Sequence, residues 1–288
     1  MSVKQSTAIR SSLETVSTLP TLSVVIDKIT RLLQNPQTSA EEIGKVISTD
    51  QALAAKVLRL VNSAFYGFPG RISTITHAVV ILGFSTIKNI VLTASIFDAF
   101  AKKKNTDSGF NIEQFWLHSI GCGAAAQAIA KRIGFKEKEE CFIAGLIHDI
   151  GKIVLCYFFP EEFETVFKSA RSGNILFLKA ERESLDITHD EIGAIVAKRW
   201  NLPANLQSTV RSHHCPSPGA EGYTMTAIVH VADILTRAMG TGNGGDEKVP
   251  PILESAWNEL GFDHIPLGSL LEAIDEEFDK ATIFMQIL

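Results

Sequence analysis

The stretch Gly145–Leu155, GLIHDIGKIVL, sets a histidine and an aspartate side by side in an otherwise apolar run. An ionised carboxylate left unpaired among apolar side chains costs several kcal/mol or is forced to neutralise, so His148 and Asp149 need a partner. A divalent cation is one partner that satisfies both. Lys152, three residues on, is another. As a structural group it would simply pair with Asp149. In a catalytic setting the same ammonium would face a phosphate and offset charge that grows in the transition state.

Further imidazoles and a further carboxylate sit in similar surroundings. His118 lies in FWLHSIG, and His189 opens THDEIGAIVAKRW, where Thr188 and Glu191 can form a capping box that sets His189 at the first helical position. His213 and His214 lie at a helix end in VRSHHCPSP, and Asp233 lies in VHVADILTR. Nitrogen and oxygen donors of these types suit iron, manganese, nickel or zinc, and a carboxylate can bridge two ions, so seven such ligands could hold two divalent ions. Each residue also has a plain structural reading. A buried histidine can be a hydrogen-bonded core residue, the paired histidines can interact with the last carbonyls of a helix, and Asp233 can pair with Arg237 one turn on. His77, His230 and His264 are read as structural, with His230 one turn before Asp233 and placed to orient a ligand.

The elements that position these residues read as helices. Apolar spacing near 3.6 dominates and strand signals are weak, so the fold class is all-α. Ser39 and Glu42 form a capping box signature, a second helix should begin around Asp50 with Leu53, Val57, Leu60 and Val61 on one stripe, and YGFPG should end it. Two amphipathic runs flank Gly83. The polar stretch AKKKNTDSG reads as a hinge, dividing an N-terminal helical lobe, residues 1–105, from a second lobe with C-terminal helices, residues 106–288. Beyond it, Asn111 can cap a helix carrying His118. Helices are then expected over Ile143 to Phe158, Pro160 to Arg171, His189 to Trp200, Pro203 to His213 and Tyr223 to Met239. The glycine-rich GTGNGGDEKVPP reads as a mobile loop.

Composition excludes several classes. With 288 residues, 45% apolar and 20% charged, the chain can bury a large core. A net charge of -5 provides no basic field for a phosphate backbone, so general nucleic-acid binding is not expected. The four cysteines include no C-x-x-C pair, which points away from a disulfide framework and toward a reducing cytoplasm. The first residues lack the apolar run of a signal peptide, and neither a membrane span nor a membrane partner is expected.

The segment LPTLSVVIDKITRLLQNPQTSAEEIGKVISTDQALAAKVLRLVNSAFYGFPGRISTITHAVVILGFSTIKNIVL, continued through HDIGK to about His214, resembles the HDOD family, the HD-related output domains of bacterial signalling proteins. That resemblance implies an N-terminal helical lobe packed on an HD-superfamily helical lobe, and a cytoplasmic role in signal transduction. The order His118, His148-Asp149, His189, His213-His214, Asp233 is similar to the ligand order of HD-GYP phosphodiesterases, which hydrolyse cyclic di-GMP. It implies that these residues share two ions, with His148 on one and Asp149 bridging, and that Asp149 and Lys152 are catalytic. Two departures are plain. The family's Gly-Tyr-Pro stands here as Gly222-Tyr223-Thr224, and Gln114 stands where trinuclear members carry a glutamate, so neither a third ion nor cyclic di-GMP is implied. The resulting expectation is a signalling protein with a dinuclear site and phosphohydrolase or phosphodiesterase activity on a phosphate-containing or nucleotide ligand. Its alternative is a non-catalytic scaffold that binds a protein or nucleotide.

Overall fold

The computed structural model describes residues 9–13, 22, 24–33, 35–101, 109–185, 187–262 and 266–286, and every regular element among them is helical. The described residues fall into two compact units, one within Met1–Leu19 and Lys104–Phe278, the other within Pro20–Lys103 and Asp279–Leu288. The expected lobe boundary after residue 105 and His264 lie outside the described residues.

The smaller unit contains α1 (Val24–Leu32), α2 (Ala40–Ser48), α3 (Gln51–Val61) and α4 (Ile75–Ala101). Ser39 and Glu42 form the capping box of α2, and Asp50 caps α3 by accepting from the Leu53 amide at 3.0 Å. Helix α3 ends at Val61, before YGFPG. Its terminus is held by Asn62, whose side chain exchanges two 2.8 Å hydrogen bonds with the backbone of Ile72 and so ties the returning chain to the helix end. Gly83, at φ 83°, breaks α4 into the two expected runs. A closing 3-10 turn, Thr282–Gln286, buries Phe284 edge-on against Phe65.

The larger unit is built around α5 (Ile112–Arg132), capped by Asn111, which accepts from the Gln114 amide at 3.0 Å. From Phe115 to Ala130 nearly every residue of α5 is buried, and Gly123 lets the backbone of Phe142 approach, where a Cβ would stand 2.8 Å from its carbonyl oxygen. Helices α6 (Lys138–Ile147) and α12 (Tyr223–Ala238) pack on it. Helices α7 (Ile150–Phe158), α8 (Pro160–Gly173), α9 (Phe177–Ser184), α10 (His189–Arg199) and α11 (Ala204–Ser212) complete the surround, followed by α13 (Glu254–Glu259) and by α14 (Leu267–Ala281), whose residues from Asp279 on count with the smaller unit.

One expected helix is two. The run Ile143 to Phe158 breaks at His148-Asp149, where Asp149 adopts φ −98°, ψ 11° and its carbonyl accepts from the Lys152 amide at 2.9 Å. Apolar periodicity could not show this break, because both arms are buried and both are apolar. The bend brings α7 against α10 so closely that a Cβ on Gly151 would lie 1.9 Å from the His189 carbonyl oxygen. The stretches Ile75–Phe100 and Lys138–Phe158 are long and apolar enough to cross a membrane by length and composition, and 61% and 89% of their apolar windows are buried within the fold.

Gly151→Ala should therefore force α7 from α10 and lower stability by about 1–3 kcal/mol, the cost of overpacking. A urea midpoint unchanged from that of the parent chain would show that the two backbones are not in contact.

Candidate metal centre

Helix ends, not helix middles, carry most of the candidate residues. His148 closes α6, Asp149 opens α7, His189 is the first residue of α10, His213 closes α11 and His214 follows it. His118 and Asp233 project from the buried interiors of α5 and α12. Helix ends suit this task because they combine a rigid backbone with a change of direction, so several elements can aim at one point.

They aim at Asp149, whose side chain is fully buried. Its Oδ1 lies 3.0 Å from His189 Nε2 and 3.7 Å from His213 Nε2, and its Oδ2 lies 3.3 Å from His148 Nε2 and 3.8 Å from His118 Nε2. Asp233 Oδ1 stands 3.1 Å from His118 Nε2 and 3.7 Å from His148 Nε2. Two groups of donor atoms result, Asp149 with His189, His213 and His214, and Asp149 with His118 and His148. In each group all atoms lie within 4.8 Å of one another, and Asp149 belongs to both.

Proximity here is not hydrogen bonding. Asp149 Oδ1 and the Nε2 atoms of His118, His148 and His213 are buried without a hydrogen-bond partner, although carboxylate and imidazole atoms stand within 4 Å. Buried polar atoms are rarely left so, and a cluster of them facing one another is what a cation site requires. The far sides of three rings, those of His148, His213 and His189, are engaged, whereas His118 Nδ1 is buried without a partner. His148 Nδ1 donates to the Gly145 carbonyl at 2.6 Å and His213 Nδ1 to that of Val210 at 2.9 Å, so both rings direct Nε2 inward. His189 Nδ1 meets the buried Glu181 carboxylate at 2.6 Å. His214 Nε2 lies 2.7 Å from His189 Nε2. These residues thus fit a divalent cation by donor type, burial and direction.

The structural pairings weighed above are present too. Lys152 Nζ donates to Asp149 Oδ2 at 2.6 Å, and Arg237 Nε donates to Asp233 Oδ1 at 2.8 Å. Burial acts to raise both carboxyl pKa values. His148 and Lys152 around Asp149, and Arg237 beside Asp233, outweigh it and hold both well below the usual range. Burial drives His213 down to about 3, aided by the nearby His148 charge. His230, by contrast, has both ring nitrogens occupied: Nδ1 donates to the His213 carbonyl at 2.8 Å and Nε2 accepts from the Leu253 amide at 3.1 Å. It shores up His213 through the backbone and offers no free donor atom. His77 is exposed in the other unit.

Spacing alone did not reveal three contributors. Glu181, eight residues before His189, carries no sequence signal beyond being an acid in a polar run. The other two come from the glycine-rich loop, which is pinned where mobility was expected. The Gly244 carbonyl accepts from Lys152 Nζ at 2.9 Å, and Asp246 accepts from Arg237 at 3.2 Å and from the Phe177 amide at 2.9 Å. The approach is tight, since a Cβ at residue 244 would stand 3.3 Å from Asp149 Oδ2 and 3.2 Å from the His118 ring.

Comparison with known proteins agrees with this architecture. Residues 19–216 match the HDOD domain family. The crystal structure of an HDOD domain protein of unknown function from Geobacter sulfurreducens superposes with a TM-score of 0.80 at 26% identity, covering 98% of each chain. That of a candidate phosphohydrolase from Shewanella amazonensis SB2B gives 0.73 at 25% identity, again covering 98% of each. An uncharacterised protein of Treponema pallidum (strain Nichols) is 29% identical over 254 residues, 87% of this chain and 48% of that protein, so the chain spans about half of that relative's length.

Burial acts against charge on His189, but the Glu181 and Asp149 carboxylates outweigh it and hold the ring up at about 9. Being raised above an unfolded value of roughly 6.5, this proton contributes stability to the ion-free chain that is full below about pH 6.5 and lost as pH rises through about 9. A ligating imidazole is neutral, so loading a divalent cation near pH 7.5 should expel about one to two protons per chain, chiefly from His189 and His148. Calorimetry in buffers of different ionisation enthalpy measures this directly, and cation binding without proton release would contradict the assignment.

Proposed function

This chain belongs to the HDOD domain family, and from that premise we propose that it is a metal-dependent phosphohydrolase acting within a signalling protein. The observation that carries the reading is the convergence of the unpartnered Nε2 atoms of His118, His148 and His213 on the Asp149 carboxylate, His118 and His148 toward Oδ2 and His213 toward the unpartnered Oδ1. Likeness to a candidate phosphohydrolase over the whole chain supports the same reaction class.

In this reading His118, His148, His189, His213, His214, Asp149 and Asp233 hold two divalent cations drawn from iron, manganese, nickel or zinc, with Asp149 common to both. Bound cations supply charge to polarise a phosphoryl group and bring the pKa of water toward about 7. The chain's own groups do the rest. Glu181 fixes the orientation of His189 through a 2.6 Å contact at Nδ1, and the backbone carbonyls of Gly145 and Val210 do so for His148 and His213. Lys152, buried and held at 2.6 Å from Asp149, sets one positive charge beside the reacting phosphoryl group. In the overall step a water oxygen bonds to phosphorus, the P–O ester bond breaks, and the leaving oxygen takes up a proton.

A second reading rests on Lys152 and Arg237. Both site carboxylates already have cationic partners, so the fold is electrostatically closed without metal and can serve as a scaffold that binds a signalling protein or nucleotide.

Elemental analysis of tag-free protein, paired with hydrolysis of generic phosphomonoesters and phosphodiesters, separates the two. The hydrolase reading expects about two ions per chain. It also expects Asp149→Asn to lose both metal and turnover, and Lys152→Met to keep the metal while kcat falls by about 100-fold. A metal-loaded chain that turns over neither class of ester would exclude it.

A further inference from the structure

Beside the candidate centre lies a cavity of about 200 Å³, reached past Leu176, Leu178, Pro250, Pro251 and Leu253, with Lys152, His189, His214 and Asp233 at its inner wall. From its size and lining we infer that the substrate is a phosphomonoester whose leaving group is compact, uncharged and apolar, and not a dinucleotide or a polyphosphate. This rests on the phosphohydrolase reading and narrows it.

Size is the first argument. Pockets that bury drug-sized ligands span about 300–1,000 Å³. A cavity of about 200 Å³ falls below that range, and cations would take part of it. A phosphoryl group with a small alkyl or aryl residue fits. A cyclic dinucleotide brings two bases, two sugars and two phosphodiesters.

Charge is the second argument. Beyond the metal ligands, the cations lining this cavity are Lys152 and Arg237. Arg237 is held by Asp233, by Asp246 and by the Lys248 carbonyl, so its charge is committed to the protein. Lys152 has one charge, already shared with Asp149. A second phosphate entering the cavity would meet no free cation on this wall and would face the carboxylates of Asp233 and Asp246. His230 offers no donor either, since both of its ring nitrogens are bonded. Desolvating a second anion without compensation is costly.

The lining of the mouth is the third argument. Leu176, Leu178, Pro250 and Leu253 are neither fully exposed nor sealed in the core, so they present apolar surface where a leaving group would rest. Pro250 and Pro251 also stiffen the end of the glycine-rich loop, and a rigid apolar wall favours a ligand that needs no hydrogen bonds.

Calorimetric titration of the metal-loaded, full-length chain tests this with phenylphosphonate, methylphosphonate, inorganic pyrophosphate and cyclic di-GMP. The phenyl compound should bind at least about tenfold more tightly than the methyl compound, the difference reporting the apolar mouth. It should also bind more tightly than pyrophosphate or cyclic di-GMP. Leu178→Asp should remove the phenyl advantage and keep methylphosphonate binding, which shows that the variant is folded and loaded. Pyrophosphate or cyclic di-GMP binding as tightly as phenylphosphonate would overturn the substrate class and leave the hydrolase reading standing. Failure of both phosphonates to bind a metal-loaded chain would remove the hydrolase reading, and this inference with it.

Discussion

The burial of the Asp149 carboxylate is the constraint on which the larger unit is organised. A fully buried anion among apolar helices is tolerable only if positive charge surrounds it. Here that charge comes from Lys152 on its own helix and from imidazoles that close or open α6, α10 and α11. The break between α6 and α7 turns the carboxylate toward those rings. An uninterrupted helix would have kept His148 and Asp149 on adjacent faces about 100° apart, and only one of them could have pointed inward.

Orientation is secured from outside the cluster. Backbone carbonyls one turn upstream hold His148 and His213, Glu181 holds His189, and His230 fastens the backbone of His213 to that of Leu253. These contacts leave the inward nitrogens of His148 and His213 unpaired, and the arrangement is costly unless something binds there. The glycine-rich loop closes the other side, its Gly244 carbonyl on Lys152 and its Asp246 on Arg237. Through Arg237 the same loop is tied to Asp233, so loop position and site electrostatics are one coupled system.

Lys152 and Arg237 also explain why residue type alone leaves two functions open. Each lies one turn from its carboxylate, the spacing of an ordinary helix ion pair, and each makes that pair. A surface pair of this kind contributes little to stability, whereas a buried one sets the ionisation state of everything near it. The same contacts are structural to the fold and, in the proposed hydrolase, would also set the charge at the site.

Much was legible in the chain itself. Helical spacing, the capping boxes at Ser39 and Thr188, the cap at Asn111 and the interruption at Gly83 are local, and local backbone chemistry is written in neighbouring residues. The candidate donors were legible as types, because a histidine beside an aspartate in an apolar run demands an electrostatic partner. What only the tertiary structure decided is which partners meet. Glu181 reaches His189, Gly244 reaches Lys152, and His230 is excluded by its two bonds. The bend at Asp149 and the pinned loop belong to the same class. All of these arise from packing between distant segments, where the deciding quantity is direction at ångström scale, and neither spacing nor composition encodes that direction.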